Sequence, residues 1–582
     1  EDLERAALCA LAADPQQRAA GERELLRWRA AASLGTPATI AALCAALPRP
    51  APHGAEAVRL HLALVLREAA PPQDGKAQEE LLHVIGCEAE KQPAGPLQRL
   101  LSQAWARVAT RAWRQTSHVF PGAEVLRAWI GILERVRGGS LSGLALMAAG
   151  IEEFAANDEL VAAREAFDQH VLRPYISLLW DLLKARHGPS PEALAATSRL
   201  FQTVRADRDG NDCLIVQALG ADIVKAALEM APTLFAAYPQ LPMGAESRGS
   251  IRQIFVGLAS LGAAMAHTTG LVEGLMQTLL EAAVHLSAGV IQRAAPGQSM
   301  ASELAELTRV ACSATKGLPV MVAVRRLGPG GIKVLVDIPM YLCQQRGTLA
   351  EAGCLHEVLE LCLEIWAVWA ADAPSLRASA SALTPGEAEA ISVVLTALDE
   401  GGRKVFEAFV CGYAAAHVAA GDDDEEEPCE CDGDEVWRTS YMGLCGGRAA
   451  VVGRAFGATA ALDAICGVLE RARACFTAEP SRWTETPAEV WDELQLLVMV
   501  AADLCFGFEL DEVSRERNGP PAAPPFQPLP ALLPAWARQT EEAAALPWPD
   551  EPVAHASLVR LSRTVAELQV RLAASADRAS PA

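Results

Sequence analysis

The chain has 582 residues, 51% hydrophobic but only 5% aromatic, with 50 Lys and Arg against 72 Asp and Glu for a formal charge of −22. That length exceeds one compact core, so several domains or one extended array are expected, and the dominance of Ala and Leu over β-branched runs points to helices throughout. The acidic balance excludes nucleic acid as the main ligand, since phosphate binding needs a basic surface, and favours a basic protein partner.

Fifteen cysteines stand without a C-x-x-C pair, as reduced and mostly buried thiols of an intracellular protein would. No amino-terminal segment reads as a signal peptide. Its most continuous apolar run, 494–508, is broken by Asp503 and too short to span a bilayer, so the chain reads as soluble with no membrane partner. It begins at Glu1 and not at Met, which reads as a chain incomplete at its start.

Taken in order, Asp14 and Pro15 make an N-cap and first helical position, and Glu22, Leu25 and Leu26 continue the helix. A turn at Gly35, Thr36 and Pro37 leads to a second helix through Leu47. The Pro-rich stretch 48–54 breaks the chain before a third helix over 55–70, and Pro71 and Pro72 break it again. From Leu97 onward, Leu97, Leu100, Leu101, Ala104, Trp105, Val108 and Ala112 share one apolar face. Arg99, Gln103, Arg107 and Arg111 share the opposite one, a basic stripe expected either to line a concave binding surface or to be a solvated helix face.

The middle repeats this grammar, with helical runs of roughly 12–20 residues between Gly, Pro and Asp breaks, the look of stacked helical pairs. Leu355, Val358, Leu359, Cys362, Ile365, Trp366 and Trp369 form another such face. No strict repeat is visible, so repetition is inferred from spacing alone, and a HEAT-type unit of roughly 40–47 residues gives about 12 to 14 units. Residues 320–324 and 332–338 flank Gly328, Pro329, Gly330 and Gly331. A β-hairpin is conceivable there, but helix–loop–helix is expected.

Ten carboxylates and no Lys or Arg stand between Asp422 and Glu435, beginning with Asp422, Asp423, Asp424, Glu425, Glu426 and Glu427. Such a block repels itself and is expected as a solvated loop over 421–435. It either steers a basic partner or is a simple insertion. Helices resume over 436–517. The Pro-rich stretch 518–534 is expected as an exposed loop, followed over 535–582 by one or two helices, the last over 553–573, and a frayed end.

The search for chemistry is mostly negative. The Gly-rich stretch 327–334 lacks the spacing and the Ser or Thr of a phosphate loop, and 207–212 has a misplaced Gly and no closing Glu for a calcium loop. Cys429 and Cys431, with Cys445 nearby, lack the second close pair that zinc sites use. No HExxH pattern and no G-x-S-x-G elbow occurs. No enzyme, metal or cofactor is expected.

Asp14, Arg18, Gly21, Glu22 and Leu25, in D-x-x-x-R-x-x-G-E-x-x-L, resemble the first repeat of importin-β superfamily transport receptors. The stretches LHLALVLREAA (60–70) and LQRLLSQAWARVATRAW (97–113) are similar to helices of the second and third repeats. LCLEIWAVWAAD (361–372), the acidic run, YMGLCGGRAA (441–450) and AEVWDELQLLVMVAADLCFGFELDE (488–512) with its Pro-rich loop resemble, in order, landmarks of the exportin-4 branch. The exportin-7 branch shares the last of these less closely, and residues 120–340 match only as generic helical repeat.

The resemblance implies an all-α HEAT-repeat superhelical solenoid, an armadillo-like array over 1–420 and 436–517, with no catalysis of its own. It implies binding of the small GTPase Ran in its GTP form by the amino-terminal repeats, within 1–115. It implies a protein cargo, such as the hypusine-containing translation initiation factor, contacts with Phe-Gly nucleoporins, and shuttling between nucleus and cytoplasm through the nuclear pore. Arg99, Arg107, Arg111 and residues Asp422 to Glu427 then become candidate partner-binding residues. Members of that branch are longer, so this chain would correspond to their amino-terminal half. A helical-repeat scaffold without Ran dependence explains the helices equally well but not the ordered landmarks.

Overall fold

The computed structural model describes the chain except residues 1, 13, 48–54, 117–122, 157–163, 186–187, 206–213, 243–244, 265–269, 294–299, 346–351, 381–384, 414–433, 479–481, 487, 507–527, 547, 549–551 and 580–582. Among the described residues every element is helical, so the fold class is all-α, built as a HEAT-like array of helix pairs. Two compact units divide at Thr278 and Leu279. The sequence marks no boundary there, because the alternation of helices and breaks runs through it unchanged.

The first unit opens with α1 (Asp2–Ala10) and α2 (Pro15–Ser33). Asp14 caps α2, its side chain accepting from the Gln16 amide at 3.0 Å, and Pro15 takes a first-turn position where its missing N–H costs nothing. Gly35, at φ +66°, makes the turn beyond α2. Next come α3 (Pro37–Ala46), α4 (Ala55–Arg67), α5 (Gly75–Lys91), α6 (Pro96–Thr116), α7 (Ala123–Arg137) and α8 (Gly143–Ala155). A helix follows in three parts: α9 (Arg164–Phe167), a π turn over Asp168–Leu172, and α10 (Arg173–Leu183). Then come α11 (Pro191–Arg205), α12 (Leu214–Ala237) and α13 (Glu246–Ala264), with α14 (Gly270–Arg293) running across the division.

Helices of this unit pair with a sequence neighbour and stack on a helix further along the chain. The pairs α5–α6, α7–α8, α10–α11 and α12–α13 are joined this way. One layer stacks α4, α6, α8, α11 and α13, and the other stacks α3, α5, α7, α10 and α12. An amphipathic helix buries its apolar face only against a neighbour, so stacked pairs share one continuous core. The face expected on α6 is that core: Leu97, Leu101, Ala104, Trp105, Val108 and Ala112 are buried. Trp105 meets Trp129 edge-on at 4.7 Å, and Phe154 stacks on Phe167 at 3.8 Å. Gly150 makes this possible, since a Cβ there would lie 2.3 Å from Trp129.

The second unit contains α15 (Ala301–Lys316), α16 (Val320–Gln345), α17 (Ala352–Ala380), α18 (Pro385–Tyr413), α19 (Asp434–Ala478), α20 (Arg482–Glu485), α21 (Ala488–Phe506), α22 (Pro528–Ala544) and α23 (Pro552–Ala579). Here α15, α17, α19, α21 and α23 stack in succession, while α16 packs on α18. Stretch 320–345 is helical on both sides of a kink at Gly328 (φ +60°), with Pro329 starting the second half. That agrees with helix–loop–helix and rules out the hairpin. Gly457 (φ +134°) likewise breaks α19 into two helices. An aromatic stack lies under α20: Phe476 is 4.6 Å from Trp483, whose ring is parallel to that of Trp491 at 5.4 Å.

Several boundaries differ from expectation. The Pro-rich stretch expected as loop over 518–534 is helical from Pro528. Pro528 and Pro530 sit in the first turn, where no amide partner is lost, and burial of Leu529, Leu532, Leu533 and Trp536 carries the helix past Pro534. The last helix continues to Ala579, beyond the expected end at 573. The acidic loop expected over 421–435 lies outside the described residues except Asp434 and Glu435, which begin α19, where a helix dipole favours carboxylates. Two helical segments, Gly270–Arg293 and Gly447–Ala478, are long and apolar enough to cross a bilayer. A search for unbroken apolar runs passes over both, because scattered charges interrupt them. In α14, Val272, Leu275, Met276 and Leu279 are buried, as a core helix requires.

Candidate interaction surface

The stripe on α6 is where sequence and geometry meet. Arg111 is half-buried, and its Nη1 donates to the carbonyls of Glu68 (3.1 Å) and Ala69 (3.0 Å). Those are carbonyls just past α4, where a helix end leaves acceptors unused. Arg107 lies between two carboxylates, its Nη1 at 3.5 Å from Glu68 and its Nε at 3.7 Å from Glu153 of α8. Arg99 is exposed and makes no ion pair with the described residues. The stripe is thus neither one binding face nor one solvated face. Arg107 and Arg111 tie α6 to the helices on either side of it, while Arg99 and Gln103 face solvent.

The same device recurs along the chain. On α8, Glu152 accepts both arms of Arg199 from α11, at 2.9 and 2.7 Å. In the other layer, Glu90 of α5 takes Arg135 of α7 at 2.9 to 3.1 Å, and Glu79 takes Arg127 at 3.1 Å. Lys184, at the end of α10, reaches Glu229 of α12 at 2.7 Å and holds that carboxyl below its ordinary range. In the second unit every step of the main stack is clasped. Arg309 pairs with Glu357 and Lys316 with Glu364 between α15 and α17. Arg448 of α19 meets Glu360 at 2.9 Å and Glu364 at 3.0 Å. Arg454 pairs with Asp503 of α21 at 3.1 Å, and Asp492 of α21 with Arg560 of α23 at 3.3 Å.

Partners stand 43, 45, 47, 48 and 49 residues apart in most of these clasps, against 68 between Asp492 and Arg560 and 88 where Arg448 reaches Glu360 across the acidic stretch. This is the repeat that sequence self-similarity does not show. A scan for opposite charges separated by one helix pair would have found it, since the spacing matches a HEAT unit of roughly 40–47 residues.

Asp422, Asp423, Asp424, Glu425, Glu426 and Glu427 lie outside the described residues, as do Cys429, Cys431 and stretch 207–212. Among the described residues no group of three or more His, Cys, Asp or Glu could hold a metal ion. A cleft at the α19 kink, lined by Arg403, Phe406, Glu407 and Phe456, has a volume of about 10 Å³, room for one water.

No family model matches the chain, and no curated protein matches it. Among solved structures it is similar to yeast importin-beta (Kap95p), at 10% identity and a TM-score of 0.35 over 98% of this chain and 74% of that one. It is also similar to an engineered protein, at 13% identity and a TM-score of 0.35 over 97% and 99% of the two chains. A complex named Kap95:Nup1 aligns at 10% identity and a TM-score of 0.33 over 97% of this chain and 73% of that one. Scores at this level add nothing to the fold, which rests on the layered helix pairs.

Proposed function

We propose that this chain is a karyopherin-type transport receptor, and within that class a nuclear export receptor that binds Ran-GTP and a protein cargo together. The observation that carries the reading is a coincidence of sequence and packing. The three stretches that resemble the first repeats of importin-β receptors, 14–25, 60–70 and 97–113, fall on α2, α4 and α6. Those helices pack in succession, α2 on α4 and α4 on α6. Successive repeats of one receptor would have this relation.

Binding would be coupled, not catalytic: Ran-GTP and cargo each raise the other's affinity by the same factor, as linkage requires. Residues 1–115 are the proposed Ran-binding region, with the hypusine-containing translation initiation factor as first cargo to try and Phe-Gly nucleoporins as contacts during shuttling through the nuclear pore. The run Asp422 to Glu427 is proposed to meet a basic surface of Ran. Replacing that run with Gly and Ser should weaken Ran binding and leave helix content unchanged. Equal affinity for Ran and cargo after the replacement removes this assignment.

The deciding experiment is binding of the chain to Ran loaded with GTP or GDP, with and without cargo. Preference for the GTP form, strengthened by cargo, supports an exporter. GTP-selective binding weakened by cargo supports an importer. Absence of binding to both forms supports a scaffold without Ran dependence, the reading favoured by the internal use of Arg107 and Arg111 in tying α6 to its neighbours.

A further inference from the structure

Nine cysteines are described, all as free thiols, and eight of them are built to stay inert or unassisted. Burial pushes Cys44 and Cys505 up to about 11 and Cys312 and Cys466 up to about 12, and pushes Cys362 up as well. The Cys343 thiol donates to the Ala408 carbonyl at 3.5 Å, which holds its proton in place. Cys9 and Cys475 are half-buried and, among the described residues, have no imidazole in hydrogen-bond contact.

Cys87 differs. It lies half-buried on α5, four residues after exposed His83 and four before exposed Lys91, so one helix face carries all three. Its Sγ is 3.6 Å from His83 Nε2 and 3.9 Å from Nδ1, within reach of a thiol donating to a ring nitrogen. Lys91 is held on that side by Glu88 at 2.6 Å. A thiol with a base at hydrogen-bond range has the parts of an assisted nucleophile.

We propose that Cys87 is a modification site, a nucleophilic thiol that His83 assists in forming mixed disulfides with small-thiol disulfides. In the step, the Cys87 proton passes to the imidazole as the sulfur attacks one sulfur of the disulfide. The new S–S bond forms as the old one breaks, and the departing thiolate takes up the proton from His83. No net oxidant beyond the disulfide is consumed. The structure also sets the selectivity, because the other described thiols are desolvated, committed to a carbonyl or without a base.

The test uses the full chain and oxidised glutathione, quenched in acid at intervals and mapped peptide by peptide. Cys87 should gain the tripeptide about fivefold faster than Cys9 or Cys475, and His83→Gln, which keeps a polar side chain but removes the base, should erase that advantage. The enzyme range for a positioned base is larger, but this imidazole is exposed and competes with water. Cys312 and Cys362 should remain unmodified in the variant, which shows that the fold is kept. Modification of Cys87 no faster than Cys9 and Cys475, or at an unchanged rate in His83→Gln, overturns the proposal. The first comparison needs no variant, so misfolding of His83→Gln does not rescue it.

Discussion

The two units solve one mechanical problem with opposite charges. Residues 1–278 carry 30 acidic and 27 basic side chains and are nearly neutral, whereas residues 279–582 carry 42 and 23. In the first unit the middle of a three-helix clasp is a cation, Arg107 between Glu68 and Glu153. In the second it is an anion, Glu364 between Lys316 and Arg448. The first arrangement is loose and a third exposed, at 3.5 and 3.7 Å. The second is tight, at 2.6 and 3.0 Å, with Glu364 only 16% exposed. Charge alternation can therefore fasten stacked helices in either polarity, and its strength follows burial and geometry.

Breaking the tighter clasp should cost most. Arg448→Ala leaves Glu360 and Glu364 facing each other with one cation fewer, and about 2 to 3 kcal/mol should be lost, somewhat below the figure for a fully buried pair. Amide exchange along α17 should accelerate accordingly, and unchanged exchange there would show that the clasp is ornamental. Arg111→Ala removes two charge-assisted bonds to carbonyls past α4 and should cost about 1.5 kcal/mol, read as faster exchange at the α4 end. Arg107→Ala should cost about 0.5 kcal/mol, because its pairs are long and partly screened by solvent. A larger loss in Arg107→Ala than in Arg448→Ala would reverse the comparison.

The smallest effect concerns Lys184 and Glu229. A carboxyl held below its ordinary value stabilises the fold above that value, and the gain is lost as pH falls through the lowered one. Since both side chains of this pair are exposed to solvent, acidification to about pH 3 should weaken the α10–α12 contact only slightly. Lys184→Gln should remove even that pH dependence, measured as exchange in α12 between pH 3 and 6.

The fold was legible where the signals are local. Asp14 and Pro15 announce α2, and the seven apolar positions of α6 announce its buried side, although Leu100 is only half-buried. What escaped depends on partners a full helix pair away. Arg107 and Arg111 look like any polar face until α4 and α8 are placed beside them. Proline misled for a related reason, since 528–534 reads as loop until the burial of Leu529, Leu532, Leu533 and Trp536 is known. The Cys87–His83 pair was local and findable, because i, i+4 neighbours meet on any helix.

The parallel rings of Trp483 and Trp491 have a use of their own. Two parallel indoles at this separation share their excited state, so the near-ultraviolet dichroism and emission of the chain depend on Trp483 of α20 staying on Trp491 of α21. The second unit thus carries its own optical gauge. A partner that lifts this short helix would announce itself as a spectral change, with no dye attached.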